Sequence, residues 1–374
     1  MKGPLVTRQP RICFVSMEVY PNLRPGAAKE AGGAGFQLLE LARGLQKRDI
    51  PVSFVVGDYG QSFREDIEGF PLFRANKVAY DRSVVRGLAN LGRLFKAMRA
   101  ARADHYVLRS TRFLSFFVML YARLLGARYT FMVASRPHCL RGELESISPA
   151  IQRLYEWSLK GAHLVTVQTK EQQDLIKTTF GIKAPVVPNG IVVPAFEGPR
   201  LDAPFDFSWI ASFKIAKRAD HLIEIARLLP SRRFLVVGGP GPDKEYSRGL
   251  TATLEALPNV TYEGFVTPDI VGDCYARSRV FLNTSDWEGF PNGFLYAWTR
   301  GIPACSLSID PDGVVTRDEL GIVEPDLKKL AQGLDNLLDD RERYAAMARR
   351  CHDHVQEHHS IANTVDMFLS ALPG

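Results

Sequence analysis

Asn283-Thr284-Ser285-Asp286-Trp287-Glu288-Gly289-Phe290-Pro291-Asn292-Gly293-Phe294-Leu295-Tyr296-Ala297-Trp298 follows the apolar run 280–282 and passes through a Gly- and Pro-marked loop into a helical pattern. In an α/β sheet such a passage lies at the carboxyl end of a strand, in the crevice where these folds take their ligands. A carboxylate placed there, Glu288, is able to accept hydrogen bonds from sugar hydroxyls while the amides of Asn292 and Gly293 face a phosphate. Read alone, the same glutamate also serves as a helix-capping acid.

Outward from this stretch, short apolar runs rich in β-branched residues recur between longer helical patterns: 12–17, 52–56, 106–108, 129–133, 164–167, 207–210, 234–237, 280–282 and 303–306. Strand and helix in repeated alternation imply parallel sheets covered on both faces. So many strands make either one very wide sheet or two separate ones. The segment from Val187-Pro188-Asn189-Gly190 to Pro194-Ala195-Phe196-Glu197-Gly198-Pro199 has no helical period, and a fresh strand-helix series starts after it. The expected division is therefore a first domain over 1–194 and a second over 195–355, with a last helix, about 356–374, free to pack back on the first.

Two further segments carry candidate chemistry. After the first strand, Glu30-Ala31-Gly32-Gly33-Ala34-Gly35 leads into a helix, and glycines at such a turn leave backbone N–H groups to face an anion. The spacing is not the G-x-G-x-x-G fingerprint, so a purely structural tight turn remains open. The second domain opens with a strand that runs into Ser212-Phe213-Lys214-Ile215-Ala216-Lys217-Arg218 and then a helix. These cations read either as a solvated helix end or, since cations at a helix N-terminus oppose its dipole, as a clamp for a bound diphosphate, the reading favoured here. In Ala134-Ser135-Arg136-Pro137-His138-Cys139, after the strand 129–133, either His138 or Arg136 is the functional member, and a structural histidine is the other reading. Asp310-Pro311-Asp312 before Gly313 reads as a turn.

The chain resembles the family 4 retaining glycosyltransferases of GT-B fold (glycosyl transferases group 1), and more closely their bacterial exopolysaccharide and capsule branch. The resemblance runs through Gly32-Gly33, Gln168-Thr169-Lys170-Glu171-Gln172, Val187-Pro188-Asn189-Gly190, Lys217, Val236-Val237-Gly238-Gly239, Pro258-Asn259-Val260, Gly264-Phe265-Val266, Glu288-Gly289-Phe290-Pro291-Asn292 and Arg300-Gly301-Ile302-Pro303. It implies an α/β fold of two Rossmann-like domains facing each other across a cleft. It also implies a nucleotide-sugar donor, UDP- or GDP-linked, held by the second domain, and no separate cofactor. Lys217 matches the lysine that neutralises the donor diphosphate, Glu288 the glutamate that grips the donor sugar, and Gly289, Phe290, Pro291, Asn292 and Gly293 the loop beside them. Gly32, Gly33, Ala34 and Gly35 match the loop near acceptor and diphosphate. Ser212 stands where the family commonly has arginine, leaving Lys214 to supply that charge. Tyr296 stands where the E-x7-E motif has its second glutamate, so the ribose contact is absent or made through the phenol. Catalytic expectations fall on Glu288, Lys217 and His138, with retention at the anomeric carbon and no metal in the chemical step. A nucleotide-sugar epimerase, an inverting GT-B enzyme and a non-catalytic nucleotide-sugar or glycan sensor are the alternatives.

Bulk properties bound the rest. With 374 residues, 46% of them apolar and 24% charged, the chain is long enough for two domains with separate cores. Five scattered cysteines without a C-x-x-C pair read as reduced thiols, and His352, His354, His358 and His359 beside Cys351 as a solvated face. The longest apolar run, 113–125, contains Arg123 and is too short to span a bilayer, and residues 1–10 lack a signal-peptide stretch. A cytoplasmic place is expected. From 82 to 112 there are eight basic residues against one acidic, Asp104. Arg82, Arg86, Arg93 and Lys96 share one helical face and Val84, Leu88, Leu91, Phe95 and Met98 the other. That helix, about 82–102, is either a surface helix with a solvated basic side or one that lies against anionic headgroups at the inner face of the cell membrane. A glycan or polyprenyl-linked saccharide is the expected acceptor, and nucleic acid is not an expected partner.

Overall fold

Ile12, Cys13, Phe14 and Val15 have no exposed surface, which a strand achieves only when helices cover both faces of its sheet. The computed structural model describes residues 9–24, 26–27, 33–76, 84–142, 148–267 and 270–373. The chain forms two compact units, residues 1–187 with 364–374, and residues 188–363.

The first unit carries β1 (Ile12–Ser16), β2 (Val52–Val56), β3 (Arg64–Ile67), β4 (Phe70–Arg74), β5 (His105–Arg109), β6 (Arg128–Met132) and β7 (Leu164–Thr166) in one seven-stranded sheet. Its order is β3-β4-β2-β1-β5-β6-β7, and only β3 runs antiparallel to its neighbour. Phe14 pairs with Phe54 on one side and Val107 on the other. Because the chain moves outward from β1 through β2 to the hairpin and then returns to β5, the order reverses between β1 and β5, where ligand crevices open in such sheets. The hairpin β3–β4 is absent from the runs read in the sequence. β3, Arg-Glu-Asp-Ile, is largely exposed, and its signal is the two-residue turn Glu68-Gly69, both at positive φ (53° and 81°). Residues 364–374 belong to this unit, with Arg48 paired to Asp366 at 2.8 Å and Arg128 donating to the Pro373 carbonyl.

The second unit carries β8 (Phe205–Ile210), β9 (Phe234–Val237), β10 (Val260–Tyr262), β11 (Ser278–Asn283) and β12 (Ala304–Ser306), all parallel, in the order β10-β9-β8-β11-β12. Here the reversal falls between β8 and β11, so the turns after these two strands flank the expected ligand crevice of this unit. The fully buried Trp298 and the nearly buried Trp209 anchor the core beneath it.

All five cysteines are free and buried, and burial pushes the Cys13 and Cys305 thiols up to about 12. The solvated histidine face is corrected at three of its four members, His358 alone of the four staying exposed. His352 and His359 are 8% and 5% exposed, and the His354 side chain is 8% exposed against Trp298, because the helix Arg341–His358 turns this side, with Met347, Cys351 and Val355, into the core. A neutral imidazole packs as an aromatic ring, and pattern reading by charge misses that. No helix of the described residues is long and apolar enough to cross a membrane.

Candidate active site

The turn after β8 and the loop after β11 are locked together by backbone and side chain. The Asp286 amide donates to the Ala216 carbonyl at 2.9 Å, and the Thr284 hydroxyl donates to the Lys217 carbonyl at 2.8 Å while accepting from the Trp209 indole at 2.9 Å. This registers Lys217 opposite Glu288, and Lys217 Nζ donates to Glu288 Oε1 at 2.5 Å. The same oxygen accepts from the Ser285 hydroxyl at 2.8 Å. Side-chain exposures of 27% and 17% leave both groups reachable from solvent. A cation for phosphate oxygens and a carboxylate for hydroxyl groups thus sit side by side at the carboxyl ends of adjacent strands, where the strand order reverses.

The other cations expected at this turn behave differently. Arg218, in the left-handed region (φ 48°), is held by Asp220, by Asp286 at 3.1 Å and by His221, so its charge goes to pinning the loop. Lys214 is exposed, and Ser212 is half-buried with its carbonyl accepting from the Lys214 amide at 2.7 Å. Glycines hold this turn in place from below. A Cβ on Gly238 would lie 1.8 Å from the Ala211 carbonyl oxygen, and one on Gly241 2.1 Å from that of Phe213. The Phe213 amide donates to the Gly239 carbonyl at 3.0 Å.

Beyond Glu288 and the half-buried Gly289, the loop turns inward. Phe290 is 7% exposed, its ring centroid 4.4 Å from that of His359 and 6.1 Å from Trp298. Pro291 is buried and precedes the helix Asn292–Trp298. Gly293 packs against the core, since a Cβ there would meet Phe281 Cζ at 2.7 Å. Asn292 Oδ1 accepts from Asn189 Nδ2 at 3.3 Å, and the Phe290 carbonyl accepts from the same amide at 3.0 Å. Tyr296 is half-buried with its ring stacked on Tyr275 at 5.3 Å, and Arg300 donates to the Tyr296 carbonyl. Burial, with Tyr296 next, raises the Tyr275 phenol far above its ordinary value, which fixes it as a neutral partner in the stack.

In the first unit, Gly32 lies outside the described residues. Gly33 begins the helix Gly33–Gln46 and is exposed, Ala34 is half-buried, and Gly35 is buried where a Cβ would lie 3.1 Å from the Glu18 carbonyl oxygen. Gly35 therefore permits the helix to approach the segment after β1. His138 is buried, with Nδ1 2.8 Å from Ser135 Oγ and Nε2 2.5 Å from the Ser110 carbonyl oxygen. Burial, then Arg112, lowers its pKa to about 4, so it is neutral. Nε2 braces the backbone at Ser110, a non-glycine residue at φ 77° just after β5, while Nδ1 is held by the Ser135 hydroxyl. Arg136 is on the surface, paired with Glu171 at 3.1 Å. Gln168 to Gln172 form a capping arrangement: Thr169 caps the helix Lys170–Phe180 by accepting from the Gln172 amide, and Gln172 Oε1 accepts from the Gln168 amide.

Sequence reading missed Thr284, Ser285 and His359 as members of this arrangement, and it gave Arg218 to the diphosphate rather than to Asp220 and Asp286. The adjacent hydroxyls Thr284-Ser285 ahead of Glu288 are a signal for the first two, whereas nothing local announces His359. Among known proteins, the family described as "Glycosyl transferase 4-like domain" matches residues 32–190 and "Glycosyl transferases group 1" matches residues 204–340. One component of the human phosphatidylinositol N-acetylglucosaminyltransferase is 21% identical over 347 residues, covering 89% of this chain and 69% of that protein. Among solved structures, sucrose-phosphate synthase from Thermosynechococcus elongatus superposes with a TM-score of 0.77 at 16% identity, covering 97% of this chain and 98% of that one. The pneumococcal O-GlcNAc transferase GtfA, solved with UDP and GlcNAc, gives a TM-score of 0.68 at 12% identity over 96% and 98% of the two chains.

Proposed function

Because the chain belongs to the group 1 glycosyltransferases, with the 4-like domain in its first half and the GT-B fold throughout, we propose that it moves a hexose from a UDP- or GDP-sugar to a saccharide or lipid-linked glycan, with retention at the anomeric carbon. The observation that carries this reading is the Lys217–Glu288 pair at the β8/β11 reversal. A donor diphosphate satisfies Lys217 and releases Glu288 to accept from sugar hydroxyls, exchanging one charge-assisted hydrogen bond for two sets with the ligand. As the glycosidic bond breaks, negative charge grows on the departing diphosphate, and a preorganised ammonium stabilises that charge in the transition state without a metal in the chemical step. The acceptor hydroxyl attacks from the leaving-group face, and the diphosphate oxygen takes its proton. Ser285 orients Glu288, and His138 enters as a brace for the segment after β5.

A lipid-linked acceptor is favoured by the human relative, whose name places its sugar on phosphatidylinositol. The exposed Arg93, Lys96 and Arg99 of the helix Val84–Ala101 support contact with an anionic membrane face, although Lys96 also lies over the Phe63 ring at 4.8 Å. Arg82 and the side chains of Val84, Arg86 and Leu88 lie outside the described residues. The test is a thermal-shift panel of UDP-, GDP- and ADP-sugars, followed by anomeric analysis of the product by NMR. Stabilisation by a UDP- or GDP-sugar and a product of unchanged anomeric configuration are expected. An inverted product overturns the mechanism, and tight binding without transfer or slow hydrolysis makes the protein a sensor.

A further inference from the structure

The second unit holds one histidine and one asparagine whose contacts the proposed chemistry leaves unexplained. His359 Nδ1 lies 2.9 Å from the Asn189 carbonyl oxygen, its ring lies 4.4 Å from Phe290, and Asn189 Nδ2 donates to the Phe290 carbonyl at 3.0 Å. These three residues close a ring of contacts across sequence separations of 101 and 170 residues. Asn189 and His359 are not placed at random along the chain. The two passages from one unit to the other fall after Val187 and after Asn363, a few residues away from each. The two passages are themselves stitched together, since Ile191 and Ser360 form a parallel bridge, with the Ile191 amide donating to the His359 carbonyl and the Ile361 amide to the Ile191 carbonyl, both at 2.9 Å.

We propose that Asn189 and His359 are positioning residues that join the donor loop, residues 286–292, to the two chain passages, so that the loop and the passages order or loosen as one body. The proposal rests on the reading of that loop as the donor's seat. His359 suits the role because it is buried and donates through Nδ1 to a carbonyl, which fixes the tautomer and hence the ring plane against Phe290. The Asn189 side-chain amide completes the connection by spanning the Phe290 carbonyl and Asn292 Oδ1. A buried network of this kind holds one arrangement only while every member is satisfied. Loss of the Nδ1–H bond therefore releases the passages and the loop together.

The experiment is amide hydrogen exchange on the ligand-free full chain. His359→Phe keeps a ring against Phe290 and removes the donor, while His359→Asn places an amide nitrogen near the position of Nδ1. In His359→Phe the amides of Ile191 and Ile361 and those of Asp286 and Phe294 are expected to exchange roughly tenfold faster, the scale of one buried hydrogen bond, with β11 amides unchanged and His359→Asn restoring protection. Faster exchange at Ile191 and Ile361 alone, or spread evenly over the whole unit, overturns the proposal. Should His359→Phe not accumulate as folded protein, Asn189→Asp keeps the shape and the carbonyl while removing the side-chain donor, and the same amides are read. A donor-binding arm separates the two readings. If the wild type binds no nucleotide sugar, the functional assignment falls and the exchange pattern still decides this one; if it binds, His359→Phe raises the donor KM about tenfold with a smaller change in kcat, and His359→Asn recovers it.

Discussion

Lys217 and Glu288 are 71 residues apart in sequence and share a 2.5 Å hydrogen bond between Nζ and Oε1. Both side chains keep access to solvent, at 27% and 17% exposure. An ion pair so placed adds little to stability, on the order of 1 kcal/mol at most, so its geometry speaks for ligand binding rather than for folding.

Lys217→Ala is expected to lower the transfer rate by about 10²-fold or more while leaving the melting temperature within a few degrees of wild type. Glu288→Gln keeps the shape and loses the charged acceptor, so the donor KM rises. The double variant should cost less than the sum of the two singles, since the residues touch, and steady-state kinetics of all three proteins measures that coupling. Wild-type turnover in Lys217→Ala would falsify the assignment.

Gly238 lies directly beneath the turn that presents Lys217. An added methyl group would sit 1.8 Å from the Ala211 carbonyl oxygen, a separation that only a backbone shift relieves. Gly238→Ala should therefore destabilise the protein by roughly 1–3 kcal/mol and weaken donor binding through the displaced turn. Gly249→Ala, where a methyl group meets nothing within 4 Å, is the control; chemical denaturation and donor titration of both variants read the difference.

Tyr296, which the resemblance sets where the E-x7-E motif has its second glutamate, stacks on Tyr275 at 5.3 Å with an interplanar angle of 10°. Tyr296→Phe preserves the stack and removes only the hydroxyl. If the phenol has taken over the ribose contact, nucleoside diphosphate affinity drops about three- to tenfold, the worth of one net hydrogen bond, and calorimetry of UDP or GDP binding measures it. Equal affinity in the two proteins would leave the ribose without a contact here.

Acid should destabilise both units through their buried histidines. Burial is the largest cause in each case, lowering His105, His138 and His354 to about 4 and His359 to about 3. In the unfolded chain these rings take protons near pH 6.5, which the folded rings refuse until the pH nears 4, so the unfolded state binds more protons in that window. Stability is accordingly full above about pH 6.5 and falls as pH drops toward 4, by on the order of 1 kcal/mol or more per histidine by pH 5. Melting temperatures from pH 8 to pH 4.5 test this, and a flat profile contradicts it.

Membrane contact through the helix Val84–Ala101 predicts co-sedimentation with vesicles containing anionic lipid at low salt and release above about 0.5 M salt, where charges are screened within a few ångströms. Arg93→Glu combined with Arg99→Glu should abolish retention. Vesicles of neutral lipid should retain neither protein.

The Lys217–Glu288 pair also shows how far sequence carries. Both residues were legible because each belongs to a local pattern, a strand followed by a Gly- or cation-marked turn and a helix, and the two parallel sheets follow from apolar runs whose burial is a property of the runs themselves. Phe290 and Gly293 were legible as loop members, yet the structure turns both toward the core. The exposed hairpin strand Arg64–Ile67 carried too little apolar signal to be read. Ser110 for His138, Asp286 for Arg218 and Asn189 for His359 are partners distant in the chain, and a neutral imidazole in the core has the same letter as a charged one in water.

Continuous apolar runs and the helical periods between them thus determined the strands other than β3, most of the helices and the positions of the two candidate turns. Tertiary structure alone decided which side chains meet. The parallel pairing of β8 with β11 sets the turns beside one another, and the closure of residues 188–363 brings Asn189 and His359 against Phe290. The reason is physical: secondary structure answers to neighbours a few residues away, whereas contacts over 71 to 170 residues exist only once burial of the shared core has overcome the entropy of closing those loops.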